Sequence, residues 1–262
     1  MEAVNRKLII WYALAHATVL ESIRRKDIYV AAILCGLLFI TATTIGSFGV
    51  KGLEIFYKDV ALTVIGLLST VLAVLLSARQ VAEEVSRRTV YPLLARPISR
   101  FDLLFGKFLG AYALSVFTLL LLAGVCALCL SLYNIPLGSV FLQYLLLRAF
   151  ALAVLCAMTL MLSLFLTPEA TVTLSLLLAV GSATFAGAVK LMYPASVGAQ
   201  QKLLAATYFV IPQLNLFDLG KKVSYGWSPV PVWVIGSLLT YAAIYSALFL
   251  FIGTLRFKRQ AL

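Results

Sequence analysis

Apolar positions along the chain fall into long runs separated by short charged clusters. Runs at about 28–48, 59–78, 108–132, 141–166, 170–189 and 231–254 each approach or exceed the ~20 residues that a helix needs to cross a bilayer core. Backbone groups inside lipid must be satisfied within the segment, so each run reads as a helix. Two further runs are too short to span: Leu8–Leu20 and Leu203–Pro212. The first, with Arg6 and Lys7 before it and Glu21, Arg24, Arg25, Lys26 and Asp27 after it, has the pattern of an amphipathic helix lying in the membrane plane. The second lies in a stretch broken by Pro194, Pro212, Pro229 and Pro231, and reads as a pair of short helices in, or dipping into, the outer leaflet. The expected fold is an all-α membrane protein. It has six transmembrane helices, an N-terminal in-plane amphipathic helix, and a short broken or re-entrant helical segment between spans five and six. Residues 1–262 form a single membrane domain, with an interfacial helix at 1–27, a long loop at 79–107 and an external segment at 190–230.

Composition agrees with the pattern. Hydrophobic residues make up 63% of the 262 positions and charged residues 12%, too few to cover a water-facing surface. The net charge of +11 is carried by clusters at the ends of the apolar runs, which favours contact with anionic lipid heads. No basic stretch interleaves with stacking aromatics, so the sequence argues against nucleic acid. Fourteen Lys and Arg lie in the N-terminal segment, the loop 79–107 and the C-terminus, against six in the loops of the opposite side. The positive-inside bias therefore puts both termini and the loop in the cytoplasm of a multi-pass protein of the cell's inner (plasma) membrane. An alternative reading of the N-terminus as a signal peptide, with Ala15-His16-Ala17 as its cleavage site, would leave Arg24, Arg25 and Lys26 outside, against that bias.

The chemistry-bearing residues are sparse. Cys126 and Cys129 form a CxxC inside an apolar run, without a second pair or a nearby histidine to complete a zinc site. His16 is the single histidine, which argues against haem and metal ligation. Gly106-Lys107 and Gly220-Lys221 lack the earlier glycine and the following Ser or Thr of a phosphate loop. No catalytic set emerges, and this chain is expected to bind no cofactor and to be no enzyme. If ATP and magnesium are used, another chain holds them.

Arg148 interrupts the fourth run. An arginine at the bilayer centre costs ~2.5–3.5 kcal/mol on insertion scales, so it either snorkels, pairs within the protein or lines a pathway. On the second run Asp59, Thr63, Gly66, Thr70 and Ser77 recur near helical spacing and form one face. That face suits a pathway or a dimer seam, with Thr63 and Thr70 as its polar members, or else close packing with each hydroxyl bonded to a carbonyl of the preceding turn. Gly106-x-x-x-Gly110 is a candidate small-residue contact.

The loop 79–107 carries Glu84, Thr89, Leu93-Leu94, Arg96-Pro97, Ser99-Arg100 and Gly106-Lys107 in that order. This run resembles the cytoplasmic coupling region of type-two ABC exporter permeases. The six-span layout, the N-terminal helix and the broken external segment extend the resemblance over nearly the whole chain. Within that family the stretch Pro212-Gln213-Leu214-Asn215-Leu216-Phe217-Asp218 is similar to a Pro-Asn-Leu…Phe-Asp pattern of permeases associated with maturation of multicopper enzymes, with Gln213 where Asn is commoner. Pro212, Asn215, Phe217 and Asp218 are the residues that carry this likeness.

The resemblance implies a mechanism. Two permease copies pair above two cytoplasmic ATPase subunits, and the helix around Glu83–Thr89 docks in an ATPase groove. Glu83, Glu84, Arg87, Arg88, Thr89, Arg96, Pro97 and Arg100 become the coupling residues, with Arg87 and Arg88 facing partner carboxylates. Two alternatives stand beside this one. The same complex could transmit mechanical work to an external protein through residues 190–230, or the chain could be an ATP-independent channel or carrier. A carrier would favour more ionisable residues at mid-membrane than Arg148 alone.

Overall fold

The computed structural model describes residues 2–24, 54–86, 99–133, 135–136, 138–196 and 198–259, with isolated helical positions between 33 and 44. Among the described residues the fold is all helical, without a strand. The helices are α1 (Glu2–Arg24), α2 (Glu54–Ser86), α3 (Arg100–Leu132), α4 (Val140–Ser163), α5 (Pro168–Met192), α6 (Ala199–Val210), α7 (Gly220–Ser224) and α8 (Val232–Arg259). Short 3-10 turns at Tyr193–Ala195 and Leu214–Phe217 flank α6. The expected first span, 28–48, lies outside the described residues.

Four helices, α2, α3, α4 and α8, are long and apolar enough to cross a membrane, and the chain is a multi-pass membrane protein. The number rises to six if two bent pairs each count as one span. One pair is α5 itself, bent by 49° between Ser182 and Thr184. A Gly-Ser pair at 181–182 marks the bend, and there Ser182 Oγ donates to Ala179 O at 2.9 Å and Thr184 Oγ1 to Gly181 O at 2.8 Å. Hydroxyls bonded back to the preceding turn and a glycine without a side chain are common causes of such bends. The other pair joins Ala199–Phe209 to Leu214–Ser224 at 51°, a broken span or a re-entrant loop, in keeping with the two short helices expected there.

The helix ends follow local chemistry. Thr167 caps α5, its hydroxyl accepting from Ala170 N, and Pro168 occupies the first helical turn. Ser99 caps α3: its Oγ accepts from Asp102 N at 3.1 Å and donates to Asp102 Oδ2 at 2.5 Å. Arg100 to Lys107 therefore form the first two turns of α3 rather than the end of a loop. Their charges are satisfied in place. Arg100 donates to Phe257 O at the end of α8 and lies 5.6 Å over the Phe257 ring. Asp102 accepts from Trp11 Nε1 at 2.8 Å, and Lys107 Nζ donates to Gln80 O at 2.8 Å.

α4 is the central element, in contact with α2, α3, α5 and α8. Leu147, Val154, Cys156, Ala157 and Leu160 on it are fully buried, packed with Ile65 and Ala73 of α2 and Leu119 and Leu122 of α3. α8 packs against α4 and α3 but leaves Ile244 and Phe251 each 63% exposed, as suits a helix whose outer face meets lipid.

α1 lies lengthwise along the start of α3. A Cβ on Gly106 would stand 2.5 Å from Leu14 Cβ, and one on Gly110 would stand 2.6 Å from Thr18 Cβ and 2.9 Å from Ala15 O. The small-residue pair thus seats α1, whose Thr18 and Ser22 are buried. Gln80 Nε2 donates to Ser22 Oγ at 3.2 Å, which ties α1 to α2 as well. The N-terminal helix expected at 1–27 is thus packed into the bundle against α3 and α2. At the opposite end Gln143 brackets Val230, donating to its carbonyl at 3.1 Å and accepting from its N–H at 2.8 Å. Tyr225, Trp227 and Trp233 are exposed near that end, the arrangement of an interfacial aromatic belt.

Candidate functional site: the Arg148 cavity

Arg148 stands eight residues after the start of α4, about 12 Å along its axis. Its side chain crosses to α2 and does not snorkel towards the helix end. Nη2 donates to Gly66 O and Thr70 Oγ1, and Nε donates to Ser69 Oγ at 3.3 Å. One turn earlier Tyr144, almost fully buried, donates from its hydroxyl to Leu62 O at 3.1 Å. The crossing passes close to Gly66, where a Cβ would make ordinary contact with Arg148 Nη2 at 3.5 Å and Tyr144 Oη at 3.6 Å.

Leu62, Gly66, Thr70, Tyr144 and Arg148 line a cavity of about 470 Å³ between α2, α4, α5 and the segment 214–221. The volume is that of a small-molecule site. The cavity is layered. Asp59, Asp218 and Lys221 are its charged members near the roof, with Asn215 beside them. Arg148 and Thr70 lie deeper, and Leu155, Leu176 and Ala179 form apolar wall. The roof is held by hydrogen bonds: Ser224 Oγ to Asp59 Oδ1 at 3.4 Å, and Gly220 N to Asp218 Oδ1 at 2.8 Å. Leu67 and Val180 line the cavity while remaining 55% and 66% exposed, so it opens sideways between α2 and α5.

The polar stripe of α2 divides between the two readings of it. Asp59, Thr63, Gly66 and Thr70 face the cavity, and Ser77 is buried away from it. The hydroxyls also bond within the helix, Thr63 Oγ1 to Asp59 O at 2.7 Å and Thr70 Oγ1 to Gly66 O at 2.8 Å. Of the external residues, Asn215 and Asp218 reach the cavity. Pro212 and Phe217 are buried, Phe217 against Tyr241 of α8 with ring centroids 6.0 Å apart. Ser69, Tyr144, Ser182 and Lys221 belong to the site but do not stand out in the sequence.

The residues expected to couple to an ATPase fall elsewhere. Glu83 and Glu84 lie in the last turns of α2. Arg87, Arg88, Thr89, Arg96 and Pro97 lie outside the described residues. Arg100 is engaged with α8, a cation at a helix C-terminus where it complements the last carbonyls. Among the described residues no three of His, Cys, Asp and Glu gather closely enough to hold a metal ion. Cys126, Cys129 and Cys156 are buried free thiols, and Cys35 lies outside the described residues.

Over residues 14–261 the chain matches the model of a family described as "Protein of unknown function (DUF2705)". No curated protein matches it.

Proposed function

We propose, for a chain that belongs to the DUF2705 family of proteins of unknown function, the role of permease subunit in an ATP-driven ABC exporter. In this reading six spans carry both termini in the cytoplasm of the inner (plasma) membrane, two copies pair, and separate ATPase subunits hold ATP and magnesium beneath them.

The observation that carries the reading is the joint at the start of α3. α2 continues past its apolar run to Ser86 and enters the stretch that resembles a coupling region. Where it leaves the bundle, Gln80 is bonded on one side to Ser22 of α1 and on the other to Lys107 of α3. A displacement of residues 83–100 by a docked partner would therefore move three helices together. α2 also supplies Gly66, Ser69 and Thr70 to Arg148, so the same movement would reach the cavity. A continuous packed element with two arrangements is the physical requirement for such coupling.

The test is co-purification with an ABC ATPase encoded beside the gene, followed by charge reversal at Glu84→Lys and Arg88→Glu. The expected outcome is loss of ATPase association with membrane insertion intact. Association that survives both reversals rejects the coupling assignment. An activity that persists in vesicles without nucleotide would instead favour the channel or carrier reading.

A further inference from the structure

We infer that the Arg148 cavity binds the acidic head of a single-chain amphiphile drawn from the bilayer. A carboxylate or phosphate monoester would lie on the guanidinium, with the apolar chain leaving between α2 and α5.

The argument begins with the donors. Four hydroxyls line the cavity, and each has spent its proton on a backbone carbonyl: Thr63 on Asp59 O, Thr70 on Gly66 O, Tyr144 on Leu62 O and Ser182 on Ala179 O. Arg148 uses Nε and Nη2 on α2, and none of its hydrogen bonds uses Nη1. Among the described residues no carboxylate pairs with it. Arg148 is half-buried, and a guanidinium partly withdrawn from water with no carboxylate paired to it gains from an incoming anion through charge-assisted bonds. The three anchors on α2 hold the planar group in one orientation, which suits two-pronged contact with a carboxylate or phosphate.

The surroundings select the rest of the ligand. Asp59 and Asp218 near the roof disfavour entry of a multiply charged anion from that side, and Lys221 offsets only part of their charge. The lateral opening at Leu67 and Val180 is apolar and continuous with the lipid-facing surface. An amphiphile entering sideways brings one acidic head to Arg148 and lays its chain along Val71, Leu155 and Val180. This assignment rests on the cavity being the cargo site of the permease proposed above, but it is measured on the isolated chain, so its failure leaves ATPase pairing untouched.

The experiment uses the full chain purified in nanodiscs of neutral lipid, with oleate as the probe and oleyl alcohol and inorganic phosphate as the comparison arms. Oleate is expected to bind, oleyl alcohol to bind about tenfold more weakly or worse, and phosphate not to compete at equal concentration. Arg148→Gln should weaken oleate by about tenfold or more. Should that variant fail to fold, a diazirine-bearing oleate on the unaltered protein decides the matter. Adducts concentrated on peptides containing Leu67, Leu155 and Val180 support the assignment. Adducts spread over α8 and α3, equal binding of the alcohol, or competition by phosphate overturn it.

Discussion

At the scale of single residues, Arg148 joins two helices while keeping part of its guanidinium unspent. A residue retained for stability alone would be costly to replace by an apolar side chain of similar length. One retained for a ligand would not, because its partners Ser69 and Thr70 keep their own hydrogen bonds to Gly66 O when the guanidinium is removed. Arg148→Met is therefore expected to leave the thermal midpoint of the purified protein unchanged or raised while abolishing anion binding. A loss above about 3 kcal/mol would identify the arginine as a structural pairing. Arg148 was legible in the sequence because a guanidinium inside an apolar run has few reasons to be there. Its partners were not. Ser69 and Tyr144 look like ordinary members of a span, and only the rotation of α2 against α4 shows that they meet. Thr63 and Thr70 fit both a packing role and a pathway role in sequence, and in space both bond within α2 and face the cavity.

At the scale of elements, the contact between α1 and α3 depends on two missing side chains. Gly110→Ala places a methyl 2.9 Å from the backbone oxygen of Ala15, a partner that cannot swing aside. Overpacking of this kind costs about 1–3 kcal/mol. The expected result is detachment of α1, read as faster proteolytic cutting after Arg24 with the rest of the bundle intact. Trp11→Phe keeps the ring contact with Phe105, at 4.7 Å between centroids, but removes the hydrogen bond to Asp102. It should lower stability by about 1.5–3 kcal/mol, measured by thermal unfolding. The Gly-x-x-x-Gly spacing was visible from the start, but spacing alone does not say which helix occupies it. The start of α3 was misplaced for a different reason. In the sequence Arg100, Asp102 and Lys107 fall within the loop 79–107, whereas each finds a partner on another helix, and no local pattern encodes that.

At the scale of the whole molecule, the ends of the chain converge. Trp11 meets Asp102, and Arg100 meets Phe257, so the N-terminal helix, the start of α3 and the end of α8 share one end of the bundle. Cysteines introduced at Ser99 and Lys258 should react with an impermeant reagent from one face of the membrane, and one at Tyr225 from the other. Reaction of all three from the same face would reject the proposed topology. Long apolar runs made most of these crossings readable, because lipid leaves few other structures open to the backbone. The bend of α5 was not readable, since it depends on how three neighbouring hydroxyl and glycine positions settle against the bundle. A last consequence follows from the way α8 is fastened. This most exposed of the long helices is latched to α4 through Gln143 and Val230, and to α3 through Arg100 and Phe257. Bolted top and bottom, it forms a fixed frame with those two helices. Any door in the protein must then swing on the other side, where bent α5 borders the lateral gap.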